Sequence, residues 1–177
     1  MDKNTLVISA FPACGKSYYT NHYSNYTKII LDSDSSNFSW MEKDGEKVRN
    51  PLFPQNYINY IKANLGKADI IFVSSHKTVR DALKENNIDY FIIYPEPTID
   101  NRSVWVKRMR DRGSSDGLIA TVYNNWFDWL GEIQCESFPY HYVLDCSNNV
   151  ESNGMWIDEK VIDNIKYCWE RMLEENN

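Results

Sequence analysis

The sequence predicts an α/β protein, a three-layer sandwich built on a five-stranded parallel sheet, and three observations predict it. Ile70-Ile71-Phe72-Val73 and Tyr90-Phe91-Ile92-Ile93-Tyr94 are continuous apolar runs of strand length, as expected for parallel strands covered on both faces. Segments with apolar residues at helical spacing separate such runs. A short turn, Ala10 to Ser17, joins the first apolar run to the first helical segment. In this alternation ligands bind beyond the carboxyl ends of the strands.

Taken in order, Leu6-Val7-Ile8-Ser9 reads as the first strand, Lys16 to about Tyr23 as the first helix and Lys28-Ile29-Ile30-Leu31 as the second strand, ending at Asp32-Ser33-Asp34. From Ser33 to Lys47 there is no clear period, and the structure of this stretch is left open. Pro54 can start a helix, because its missing N–H costs nothing at the first helical position; Tyr57, Ile58, Ile61 and Leu65 mark one face before Gly66 stops it. Strand Ile70 to Val73 leads to a helix from Thr78 to Asn86, and strand Tyr90 to Tyr94 is closed by Pro95 and Pro97. A helix runs from Asn101 to about Arg112, where Gly113 and Ser114-Ser115-Asp116-Gly117 break it, and the next carries Ile119, Val122, Trp126 and Leu130 on one face. Tyr142-Val143-Leu144 is the last strand, and Asp158 can cap a final helix that lines up Val161, Ile165, Cys168 and Met172.

At 177 residues the length suits one domain, 1–177. Hydrophobic residues at 42% and charged residues at 25% are close to the globular norm. A formal net charge of −6 argues against a surface built throughout to hold nucleic acid and favours a small acceptor. Cys14, Cys135, Cys146 and Cys168 show neither metal-ligand spacing nor the density of a disulfide scaffold, so reduced thiols in a cytoplasmic protein are expected. No leader pattern or membrane-length apolar run is read. Oligomeric state leaves no mark.

The strongest chemical signal is Ala10-Phe11-Pro12-Ala13-Cys14-Gly15-Lys16-Ser17 between strand and helix. Backbone N–H groups from Ala13 to Gly15 can wrap phosphates, Lys16 can reach the terminal ones, Ser17 can ligate Mg²⁺, and the helix N-terminus adds positive potential. Ala10 stands where the pattern G-x-x-x-x-G-K-[ST] has its first glycine, which implies a differently turned loop start.

Asp32 and Asp34 end the second strand, on the same sheet edge as that loop. A carboxylate there can take a proton from an attacking hydroxyl or hold Mg²⁺ through water; Asp32 is nearer the strand, and either can be the base. The bland alternative is a turn-capping Asp-Ser-Asp. Arg108 and Arg112 lie four apart, so a helix presents both on one face while Arg110 points elsewhere. Two aimed guanidinium groups beside a Gly-Ser break describe a short closing lid over about 108–118, or else a solvated helix face. The third strand ends at Ser74-Ser75-His76 with no acid, which tips the reading from hydrolysis toward transfer. Arg80 and Arg49 are further candidates for contact with an acceptor, whose binding region is placed at about 35–60.

With these residues the chain resembles the P-loop kinases of nucleosides and nucleotides. It is most similar to the branch holding phage-type polynucleotide 5′-kinases and zeta-toxin-like kinases. The resemblance rests on Pro12-Ala13-Cys14-Gly15-Lys16-Ser17, the Asp after the second strand, the helix bearing Arg80, and Val106-Lys107-Arg108 with Arg112-Gly113. It implies a P-loop NTPase fold, Lys16 and Ser17 holding ATP and Mg²⁺, Asp32 as base, and Arg108 with Arg112 clamping the donor phosphates. It further implies that adenine lies against Asp145-Cys146-Ser147-Asn148, with Asn148 as a contact. Ser35, Ser36 and Asn37 stand where the polynucleotide branch carries an arginine for its acceptor phosphate. The expected acceptor is therefore a free nucleoside or nucleoside monophosphate rather than a nucleic-acid end or a modified base in DNA. An ATP-holding switch without turnover is the reading from another class.

Overall fold

The computed structural model describes residues 5–137, 140–144 and 156–175. Its strands are β1 (Leu6–Ala10), β2 (Ile30–Asp32), β3 (Trp40–Lys43), β4 (Glu46–Arg49), β5 (Ile70–Ser74), β6 (Phe91–Pro95) and β7 (Tyr140–Leu144). Five of them form a parallel sheet in the order β2-β5-β1-β6-β7, flanked by helices, so the α/β class is as expected. The other two, β3 and β4, pair antiparallel as a separate hairpin. Contacts divide the chain into two compact units: Met1–Ala10 with Lys16–Phe91, and Phe11–Gly15 with Ile92–Asn177.

In the first unit β5 is paired on both sides, with Leu6 and Ile30 both in register with Ile70. Ile70, Ile71, Phe72 and Val73 are wholly buried, which is why the run carries no polar alternation. Each such side chain contributes about 1.5–3 kcal/mol of transfer free energy. Helix α1 (Lys16–Tyr23) follows the loop and sends Tyr19 inward, edge-on to Phe72 at 5.9 Å between ring centres. The stretch left open, Ser33 to Lys47, holds a short helix, α2 (Ser36–Ser39), and, with the two residues after it, the β3–β4 hairpin, whose Asp44-Gly45 turn has φ of 54° and 80°. Positive φ at both positions is the geometry of a two-residue hairpin loop, and Gly45 reaches it without Cβ strain. Helix α3 (Gln55–Asn64) starts after Pro54 and buries Tyr57, Ile58 and Ile61, while Leu65, expected on the same face, caps the helix at its rim. Helix α4 (Lys77–Glu85) buries Val79, Arg80, Ala82 and Leu83.

The second unit carries α5 (Ile99–Asp111), α6 (Asp116–Asn124), α7 (Trp126–Gln134) and α8 (Glu159–Glu175). The starts of α5, α6 and α8 are capped by side chains: Thr98 Oγ1 accepts from Asn101 N–H at 3.1 Å, Ser115 Oγ from Leu118 N–H at 3.3 Å and Asp158 Oδ1 from Val161 N–H at 2.8 Å. The helix expected to carry Ile119 through Leu130 is two helices, because Asn125 leaves helical geometry at φ −102°, ψ 11°. All four face residues are nevertheless buried. Trp126 meets Phe11 edge-on at 5.8 Å and Trp105 at 6.1 Å, an aromatic core directly beneath residues 11–15. On α8, Val161, Ile162 and Ile165 are buried, whereas Cys168 is exposed and so departs from the expected stripe. Among the described residues no helix is long and apolar enough to cross a membrane.

Candidate functional site

Residues 11–15 form a turn whose shape is set by bonds within the second unit. Phe11 N–H donates to Ile93 carbonyl at 2.9 Å, Cys14 N–H to Phe11 carbonyl at 3.2 Å, Trp105 Nε1–H to Pro12 carbonyl at 2.7 Å and Ile157 N–H to Cys14 carbonyl at 2.8 Å. Ala13 is held at φ 66° and Gly15 at φ 104°. The left-handed residue is thus Ala13, at a cost of about 1 kcal/mol, while Ala10 ends β1 in ordinary extended backbone. Cys14 is buried, with its thiol 3.7 Å from the Ile93 carbonyl.

In the first unit, Lys16 and Ser17 open α1. Lys16 Nζ folds back to the Ala10 carbonyl at 3.2 Å, and Ser17 Oγ donates to Asp32 Oδ2 at 2.5 Å. The sequence therefore brings together the two side chains from which an oxygen-ligand site can be built. Asp34 is used differently: its Oδ1 accepts the Ser36 N–H at 2.8 Å and so turns the chain into α2.

Behind these carboxylates lies a group of aromatic residues from α2 and α3. Tyr57 OH donates to the Ser33 carbonyl at 2.5 Å and accepts from Ser74 N–H at 3.4 Å, tying the end of β2 to the end of β5. Burial raises the Tyr57 pKa well above its ordinary value, so the phenol stays protonated and keeps this tie. Phe38 packs on Tyr57 at 4.8 Å and on Tyr60 at 5.0 Å. Ser33 is 4% exposed and its hydroxyl has no hydrogen-bond partner.

Arg49, on β4, stacks over Trp40, its cross-strand partner on β3, with the guanidinium carbon 4.0 Å from the ring centre. Lys47 lies over the same ring at 5.4 Å. Arg80 is 3% exposed, and its guanidinium bonds the Ser75 carbonyl, so it braces the turn from β5 into α4. His76 begins that turn; desolvation first, then the charges of Arg49 and Arg80, hold its pKa below the usual histidine value.

Back in the second unit, Arg108 on α5 stacks on Trp105 at 4.2 Å and stands 5.7 Å from the ring of Trp156. Arg112 caps α5, with Nε–H donating to Ser114 Oγ at 2.7 Å, and interacts electrostatically with Cys14 of the loop. Lys107 turns away and pairs with Asp111 at 2.7 Å. Asn148 and its neighbours Asp145 to Ser147 lie outside the described residues.

Trp105 and Trp156 escaped the sequence reading of the loop. Trp105 belongs to the α5 pattern as an ordinary apolar position, and no local signal ties either tryptophan to residues 11–15. A scan against protein-family models and a search of curated proteins each return no match for this chain.

Proposed function

We propose that the chain is an ATP- and Mg²⁺-dependent phosphotransferase that moves the γ-phosphoryl group to a nucleoside or nucleoside monophosphate. The observation that carries this reading is the Ser17 Oγ to Asp32 Oδ2 bond, at the first turn of the helix that follows the loop. A hydroxyl and a carboxylate are hard oxygen donors. Mg²⁺ favours one or two such protein ligands with water and phosphate oxygens completing its shell. Bound there, Mg²⁺ would neutralise charge on the donor phosphates.

The chain's own residues would do the remainder. Backbone N–H groups of residues 13–15 would hold the β-phosphate, and Lys16 would leave the Ala10 carbonyl to meet the β- and γ-oxygens. Asp32, with Oδ1 still available, would accept the acceptor hydroxyl proton as the new O–P bond forms and the bond from Pγ to the bridging oxygen breaks, releasing ADP. The backbone bond that Asp34 already makes supports Asp32 as the base. Arg108 and Arg112 would balance charge on the transferring group, and Arg49 would serve the acceptor side, whereas Arg80 is buried against the Ser75 carbonyl and would only brace it.

The test is a panel of nucleosides, nucleoside monophosphates and short oligonucleotides incubated with γ-labelled ATP, Mg²⁺ and purified protein. Label should enter one mononucleotide or nucleoside class. ATP consumption that no acceptor increases would reject the kinase reading, and transfer only to oligonucleotides would reject the small acceptor.

A further inference from the structure

Trp156 is a large apolar side chain left 49% exposed beside the turn of residues 11–15. Its Cβ lies 3.6 Å from the point where a Cβ on Gly15 would stand, and the next residue, Ile157, donates its N–H to the Cys14 carbonyl at 2.8 Å. Across from it, Arg108 lies 5.7 Å from the Trp156 ring centre and is itself stacked on Trp105, which in turn bonds the Pro12 carbonyl. All these residues belong to one compact unit. The turn thus has at its border a half-exposed indole with a guanidinium near its ring, and its backbone is bonded to the neighbouring Ile157 and Trp105. An aromatic face with an adjacent guanidinium is the equipment for holding a nucleobase, because any base offers a π-face to stack.

We infer that Trp156 is the stacking platform for the base of the phosphate donor, so the donor is recognised as a purine nucleoside triphosphate and not only by its phosphates. This rests on the reading of residues 10–17 as the donor phosphate site. Purines are favoured because a two-ring base covers more of an indole than a one-ring base does. Trp156 acts in binding, and no bond is made or broken at it.

The experiment compares Mg·ATP with Mg·tripolyphosphate, which has the phosphates and no base, by calorimetric titration of wild type, Trp156→Ala and Trp156→Phe. Wild type should bind ATP more tightly than tripolyphosphate. Trp156→Ala should weaken ATP about 5- to 100-fold and leave tripolyphosphate unchanged, and Trp156→Phe should restore most of the difference. ATP, but not tripolyphosphate, should also quench tryptophan emission in wild type, and the quench should shrink in Trp156→Phe. Unchanged ATP affinity in Trp156→Ala overturns the platform. Loss of both ligands in that variant overturns it too, because Trp156 would then be shaping the turn. A wild type that binds tripolyphosphate but gains nothing from the base overturns the platform alone. A wild type that binds neither overturns the donor site itself and the platform with it.

Discussion

Ser17 Oγ and Asp32 Oδ2 are 2.5 Å apart although fifteen residues separate them, so the first turn of α1 and the end of β2 meet through two side chains. If both residues serve one bound metal, their contributions are coupled. Ser17→Ala and Asp32→Asn should each lower transfer by about 10²–10⁴-fold, and the double variant should lose far less than the product of the two. Asp32→Asn should still bind ATP. The same split seen for Asp34→Asn would move the base to Asp34.

Lys16 is half-buried, and its Nζ bonds the Ala10 carbonyl at 3.2 Å. Removing it should change the free energy of unfolding in urea by no more than about 0.5 kcal/mol while abolishing transfer. Arg112→Ala should behave alike, and Arg112→Lys should recover little, because a point charge does not reproduce a guanidinium fork. Intact transfer in either alanine variant would defeat the assignment.

The low pKa of His76 has a definite sign in stability. The unfolded chain takes up a proton near pH 6.5, and the folded chain takes one up only at lower pH. The resulting stability is fully present above about pH 6.5 and is lost as pH falls from there through the folded value. His76→Gln should therefore flatten part of the wild-type decline in urea midpoint between about pH 7.5 and 5. Parallel declines in the two proteins would show that neither burial nor the charges of Arg49 and Arg80 penalise the protonated ring.

Asp158 holds the start of α8 through the 2.8 Å bond from Val161 N–H. Asp158→Ala should cost about 1 kcal/mol in denaturant unfolding, and Asp158→Ser should recover most of it. An unchanged midpoint would mean that packing of Val161, Ile162 and Ile165 alone sets this helix end.

The central strands were legible because burial on both faces writes an unbroken apolar run, as at Ile70 to Val73, and burial on one helix face writes the spacing seen at Ile119, Val122, Trp126 and Leu130. That spacing could not reveal the break at Asn125, since two consecutive helices can keep the same residues inward. The β3–β4 hairpin escaped because its strands are exposed along most of their length and so lack alternation; Asp44-Gly45 was the one local signal for it. Within the candidate site, Lys16, Ser17 and Asp32 were legible because they follow one another around a local strand, turn and helix pattern. Trp156 was not, because its nearness to Gly15 comes from folding and has no sequence period. Arg80 shows the converse: helix spacing located it correctly, but burial engages its guanidinium with the Ser75 carbonyl.

The bonds that shape residues 11–15 also set a timetable for biosynthesis. Their partners are Ile93, Trp105 and Ile157, all encoded far downstream. A ribosome adding about 5–20 residues per second needs on the order of ten seconds to travel from the turn to the last of them. Throughout that interval the nascent chain carries Lys16 and Ser17 but lacks the Ile157 N–H that meets Cys14, so a translation product ending before that residue has an unfinished turn whatever the state of its first unit.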